Sequence, residues 1–563
     1  MKKYIAIIAV VLAAASCSLN EEFTSYTKQE DFYNNKVQIQ SGINACYNMI
    51  RSMFGGSSFW MTTECTTDLM YLNDPNAYNA ILNISPAQPA FAATIWRYCY
   101  GGIMRSNAMI VAIDKAYENE AITDEDVLEL KGETVVLRAF FYYLLTSAFG
   151  DVPFYTETVT EDNREQIASL PRMSADATRD YLIDELSEYV EYLPQKRSYD
   201  APFQNRANAA LGLMLAGKFC LWNHRWDDAI DILGRLEDIY GHYDATPEQF
   251  GQDYLLTDVP FSHKYIPESI FEMENQYEEY GVQQTATIAI YTTPTKSNKT
   301  VEVGGEDEES ETEEYIISDN YNGICIPELG TSARISISAR PTTYYFQTVL
   351  SYYSNDLRSG EYSNGATEPR GGSGNLAWRW SGYDPEDVVR DPDERSVRWF
   401  STLGSGNASA KAIRRPWLGN KFWCPGMYYT LDSNNYRLFR YADALLMLAE
   451  AHLMAGHPDK AADYLNITRV RAGLEKLTGA STGGSADALM EEIRVERARE
   501  LFGEFQRKFD LVRWGIWYER TIQYNEGKYL NDFIKPCHRY LPIPQDQVTY
   551  SHGALDNKEY QGN

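Results

Sequence analysis

Between Tyr436 and Leu474 the chain reads YRLFRYADALLMLAEAHLMAGHPDKAADYLNITRVRAGL. Leu445, Leu448, Ala449 and Leu453 recur at helical spacing, and a second apolar set, Ala461, Leu465, Ile467 and Val470, begins after Gly456-His457-Pro458. The pattern predicts a helical hairpin. Gly456 suits the left-handed position that ends the first helix, and Pro458 suits the first turn of the second, where a missing N–H leaves nothing unsatisfied. Ala449 and Ala461 are small enough to let the two backbones approach closely.

The same signature occurs upstream in Ala207 to Tyr240, where Gly217 and Ala229 keep the interval that separates Ala449 from Ala461. Repetition of small contact residues at one interval is the mark of tetratricopeptide-like helical pairs. Two looser pairs, Leu128–Phe149 with Ala175–Leu193 and Asp487–Phe502 with Phe505–Tyr518, bring the total to about four. The fold class expected is therefore mainly α, a tetratricopeptide-like scaffold split by a large irregular insertion. The expected boundaries are a helical scaffold over 36–240 and 436–520, the insertion over 241–435 and an extended C-terminal segment over 521–563, all within a single domain over 17–563.

Residues 1–16 read as an export signal: two lysines, then an apolar run from Tyr4 to Ala15 that is too short to span a bilayer. Small residues before Cys17 resemble a bacterial lipoprotein box, with Ala14 where leucine is commoner, so Cys17 is the expected acylated first residue of the mature chain; an ordinary signal peptide that contains a cysteine is the alternative. Removing Lys2 and Lys3 takes the formal charge from −28 to −30. So acidic a protein does not seek nucleic acid through its overall field. Cys46, Cys65, Cys99, Cys220, Cys325, Cys424 and Cys537 form no CxxC pair, a pattern of buried free thiols with room for one disulfide and not of a metal site. No metal or cofactor is expected.

Gly55 to Phe91 carries Gly, Pro and Asn punctuation and reads as a long ordered loop region with aromatic side chains to place. The run EDEESETEE, Glu306–Glu314, reads as a solvated loop without EF-hand spacing. RGGSGNLAWRWSGY, Arg370–Tyr383, sets glycine flexibility beside aromatic rings. A ligand with apolar faces and a polar rim needs exposed aromatic planes with amide or carboxylate partners. Two stretches supply them. The expected ligand residues are Trp60, Asp68, Tyr71, Asn73, Asn76 and Tyr78 in the first, and Trp378, Trp380 and Tyr383 in the insertion.

LRAFFYYLLTSAFGDVPFYTE (Leu137–Glu157), RYADALLMLAEAHLMAG (Arg440–Gly456), LNITRVRAGL (Leu465–Leu474), ERARELFGEFQRKFDLVRWG (Glu496–Gly515) and YLPIP (Tyr540–Pro544), in this order behind a lipoprotein signal, resemble the SusD/RagB family of outer-membrane nutrient-binding lipoproteins. The resemblance implies a helical scaffold at the cell surface, a lipid anchor in the outer membrane, and a SusC-like TonB-dependent transporter as partner. It does not fix the ligand: most relatives bind glycans, which makes a glycan the expected ligand, and the RagB branch is associated with peptides, which stay the alternative. It also implies that ligand contacts come from an early loop region and from the insertion.

Catalysis is not expected. HExxH, GxSxG at a strand-to-helix turn and the P-loop pattern are all missing from the sequence. Glu496 and Glu500 lie one helical turn apart among arginines, where ion pairing is the ordinary explanation. A hydrolase whose carboxylates meet only in three dimensions stays open as the remaining alternative. Arg138, Arg440, Glu496, Arg497, Asp510, Arg513 and Trp514 are read as residues that join one hairpin to the next.

Overall fold

The computed structural model describes residues 32–196, 205–243, 261, 264–275, 287–292, 299–303, 313–318, 323–324, 339–350, 356–359, 374–377, 417–424, 433–478 and 484–561. Cys17, Cys325, Trp378, Trp380 and Tyr383 lie outside them.

The chain is mainly helical. Its first half runs α1 (Lys36–Phe54), α2 (Ser57–Glu64), β1 (Met70–Leu72), α3 (Pro75–Leu82), α4 (Phe91–Glu118), α5 (Asp124–Phe149), α6 (Ala175–Tyr189), α7 (Ala209–Trp222) and α8 (Trp226–Gly234). Its second half runs β2 (Ser269–Met273), β3 (Ala339–Pro341), β4 (Tyr436–Arg440), α9 (Tyr441–Met454), α10 (Pro458–Arg471), α11 (Ala486–Glu500), α12 (Arg507–Arg513), α13 (Trp517–Tyr524) and α14 (Gln545–Tyr550). Consecutive helices pack as α4 on α5, α7 on α8 and α9 on α10, and α8 lies against α9, which closes the gap left by the insertion. β2 and β4 pair antiparallel on the way into α9.

The hairpin that dominates the sequence is present. Gly456 has φ +87°, and Pro458 occupies the first turn of α10. Ala449 and Ala461 are both fully buried in one cluster with Leu446, Leu453 and Leu465. In the upstream pair, a Cβ on Gly217 would come within 2.3 Å of Leu233, so the close approach there rests on a glycine.

Several expectations need correction. Gly55–Phe91 is not all loop, since it holds α2 and α3. Asp74 caps α3 by accepting from the Asn76 N–H at 2.9 Å, and Pro75 stands in its first turn, so residues that punctuate elsewhere start a helix here. Phe505–Tyr518 is not one helix but α12 and α13, parted at Gly515 with φ +72°. The C-terminal segment is non-helical from Leu541 to Pro544, yet α14 follows directly after Pro544. There the Leu541 N–H donates to the Ala148 carbonyl and the Gln545 N–H to the Pro86 carbonyl, which lays the segment across the end of α5. Within the insertion, Glu313–Ser318 is a strand between Lys299–Val303 and Gly323–Ile324, so the acidic run ends in sheet. Residues 304–312 lie outside the described set.

The charged residues of the motifs tie helix to helix. Arg440 donates to Glu504 (2.7 Å) and Glu500 (2.6 Å), and Arg358 binds Glu496 (2.8 Å) and Glu500 (2.7 Å). Arg497 bridges Asp443 on α9 to Asp510 on α12, while Arg513 and the Trp514 indole N–H both meet Glu450. Arg138 joins α5 to α6 through Glu185. Burial pushes the Glu500 carboxyl up, but Arg471, Arg440 and Arg358 outweigh it and hold it well below the ordinary range. Breaking one such buried pair costs about 3–5 kcal/mol, so this network fixes how β4, α9, α11 and α12 sit together. The six described cysteines are all buried, and Cys46, Cys65, Cys99, Cys220 and Cys537 are free thiols. No helix among the described residues is long and apolar enough to cross a membrane.

Candidate functional site

The early region and the insertion meet in one short ribbon. β1 pairs antiparallel with β3, setting Met70 opposite Pro341, Tyr71 opposite Arg340 and Leu72 opposite Ala339. The next residue locks the pair: the Thr342 N–H donates to the Leu69 carbonyl at 2.9 Å and its hydroxyl to the Asp68 carbonyl at 2.6 Å. From behind, the Asn525 amide donates to the carbonyls of Cys65, Thr67 and Met70, within 2.7–3.1 Å. Glu526 accepts from the Thr343 N–H and hydroxyl. Trp417–Leu418 packs beside β3 and pairs with Leu376–Ala377, the two residues that precede Trp378.

Three of the expected ligand residues belong to the interior, and the reading of them as a surface platform is corrected. Trp60 is fully buried, its N–H donating to the Gly503 carbonyl at 3.0 Å and its ring edge-on to Phe422. Tyr78 is fully buried as well; its hydroxyl accepts from the Leu72 N–H at 2.9 Å and donates to Asn525. A ring with no exposed face gives a sugar nothing to stack on. Asp68 is buried against Arg507 (2.8 and 2.7 Å) and Arg520 (3.1 Å). Burial raises its carboxyl, the two guanidiniums more than offset that, and it stays ionised below the ordinary carboxylate range.

Tyr71 lies on the ribbon itself and keeps 8% of its surface exposed, whereas Asn73 and Asn76 just beyond are exposed. At the opposite end of the ribbon stand residues that sequence reasoning missed. Tyr344 and Tyr524, both half-buried, stack with ring centroids 4.0 Å apart. Arg520 sits about 5 Å from both rings and donates to the Tyr344 hydroxyl at 2.5 Å, while its other arm holds Glu491. The paired tyrosines in PTTYYF (Pro341–Phe346) and the Tyr-Asn-Glu-Gly turn (Tyr524–Gly527) were the available signal.

The face that results carries aromatic rings, a guanidinium, carboxamides and a carboxylate. Such a mix recognises a ligand with apolar faces and hydroxyl edges. Beneath it, burial pushes the Glu64 carboxyl up to about 8 although the N–H groups of Gly503 and Arg507 point at it. Among the described residues no group of three or more His, Cys, Asp or Glu is arranged to hold a metal ion.

Two family models fall on this chain: the SusD family over residues 420–560, and a family described as starch-binding, associating with outer membrane, over residues 19–218. Between them they take in more than half of the chain and both halves of the helical scaffold. This chain is a SusD/RagB-family protein. A SusD-like protein P25 of Formosa agariphila is 22% identical over 571 residues, covering 98% of each chain. The SusD/RagB-family fold is shared with solved structures. A SusD superfamily protein from Bacteroides vulgatus matches with a TM-score of 0.65 at 18% identity, covering 94% of this chain and 100% of that one. Surface glycan-binding protein A from Bacteroides thetaiotaomicron, in complex with laminarihexaose, matches with a TM-score of 0.64 at 18% identity, covering 93% and 99%.

Proposed function

We propose that this SusD/RagB-family protein binds oligosaccharide on the β1–β3 face and delivers it to a SusC-like TonB-dependent transporter. The observation that carries the reading is the ribbon: it joins the early region to the insertion and sets amides at one end and stacked tyrosines at the other. Likeness to a glycan-binding protein solved with a hexasaccharide supports the same ligand class. In this reading Asn73 and Asn76 contact the glycan together with Tyr344 and Tyr524, Tyr71 offers only the small edge it leaves exposed, and Trp378, Trp380 and Tyr383, outside the described residues, remain the expected contacts from the insertion. Trp60, Asp68 and Tyr78 hold the face from beneath. Cys17 carries the lipid that anchors the protein in the outer membrane at the cell surface.

The protein acts as a binder without turnover. The carboxylates of the helical motifs are engaged by arginines in the interior, which leaves them unsuited to protonate or attack a sugar. The test is a panel of purified polysaccharides and peptides, with laminarin and starch as the first probes, followed for both saturable binding and product release. Saturable glycan binding with an unchanged substrate is expected. Binding of peptides alone, or oligosaccharide products accumulating in time, would replace this reading with one of its alternatives.

A further inference from the structure

A second cleft of about 440 Å³ opens between the first turns of α4 and the C-terminal helix α14, and it shares no lining residue with the β1–β3 face. Its volume falls in the range of small-molecule sites. One wall is a rigid aromatic array. Tyr100 lies parallel to Tyr155, with 4° between the planes and 6.2 Å between centroids, and Trp96 sits 4.8 Å from Tyr100. The Tyr100 hydroxyl donates to the Pro153 carbonyl at 2.8 Å, which fixes the ring before anything binds. Tyr550, 67% exposed and the most exposed of the described Phe, Tyr and Trp residues, lines the cleft as well. A ring that lines a cleft and keeps most of its surface in water has a face that a bound ring can cover.

The rim selects the ligand. Arg97 and Asp546 are exposed and of opposite sign, so a net charge on the ligand gains nothing at one of them. Asp546 accepts from the Gln547 N–H at 2.9 Å and from its amide at 3.3 Å, which orients a carboxylate and a carboxamide side by side. A purely apolar ligand would strip water from these groups without replacing it. A neutral polyhydroxyl ring satisfies both parts: its C–H face lies against tyrosine and its hydroxyls meet the rim. We infer that the α4–α14 cleft is a second binding site for neutral oligosaccharide, independent of the β1–β3 face.

Hydroxyl-radical footprinting of the full chain tests this with laminarihexaose, maltohexaose and cellohexaose. At least one of the three is expected to protect Tyr550. Asp546→Ala and Gln547→Ala should raise the concentration needed for half-protection by about tenfold, as loss of a well-placed polar contact does. Protection should survive in the Asn73→Ala/Asn76→Ala double variant, whose changes lie on the other face. Absence of Tyr550 protection with all three sugars overturns the inference. So does protection that Asp546→Ala and Gln547→Ala leave unchanged, or that vanishes in the Asn73/Asn76 double variant.

Discussion

Asp68→Asn separates a residue that supports the site from one that touches ligand. Asp68 is fully buried and accepts two bonds from Arg507 and one from Arg520, so neutralising it leaves one fully buried guanidinium and one mostly buried one facing an amide. Removing one partner of a buried pair costs about 3–5 kcal/mol. Here the lower end applies. Arg507 keeps the Arg494 carbonyl at 3.0 Å, Arg520 keeps Glu491 at 2.8 Å, and the asparagine oxygen still accepts one bond. The expected loss is therefore about 3 kcal/mol by urea unfolding at pH 7, with a lowered Tm. The sign against pH follows from the depressed carboxyl. The stabilisation is complete above the unfolded value of about 3.9 and is lost as pH falls through the folded one, so wild type and variant should converge in acid. A double cycle with Arg507→Met should return a coupling above about 1 kcal/mol. A loss below that size, or a fall in glycan affinity at unchanged stability, would refute the interior role of Asp68.

Glu64 gives the opposite pH dependence. Its folded carboxyl is raised to about 8, so the neutral form is favoured, and the protein loses stability by up to about 1.4 kcal/mol per unit as pH climbs from the unfolded value toward 8. Glu64→Gln should remove that slope, and parallel pH–stability curves for variant and wild type would contradict the assignment. Ala461→Leu should overpack the α9–α10 contact at a cost of about 1–3 kcal/mol, seen as a lowered Tm, since Ala461 is fully buried against Ala449 and Leu465. Cys17→Ala should move the protein from the membrane fraction to the soluble one, and sedimentation with membranes after a high-salt wash would argue against the lipid anchor.

The helical hairpins were legible because small residues and apolar spacing are local: Ala449, Gly456, Pro458 and Ala461 each act within a few residues of themselves. The joining role of the motif charges was legible for a similar reason, since arginines and glutamates interleaved with apolar residues on a helix need partners, but that those partners would include the distant Arg358, Arg440 and Arg471 was not. Long-range placement was not. Nothing near Trp60 reveals that the Gly503 carbonyl, 443 residues away, waits for its indole N–H, or that Asn525 reaches three carbonyls of the Cys65–Met70 turn. An aromatic in a Gly- and Asn-rich stretch looks the same from sequence whether it faces water or Phe422. The early region and the insertion do meet, in the β1–β3 ribbon. The side chains within each were sorted only by contacts that span the chain.

The central claim, that glycan binds on the β1–β3 face, is tested most directly by titrating the polysaccharide selected by the panel into wild type, Asn73→Ala/Asn76→Ala and Tyr524→Ala. Each variant changes one end of the ribbon, at exposed or half-buried residues whose loss should spare the fold. Tyr524→Ala should weaken binding by about 2 kcal/mol, as removal of a stacking ring does, and the double asparagine variant by at least tenfold, with Tm close to wild type in both. Wild-type affinity in both variants would contradict the claim and place the glycan elsewhere on the molecule.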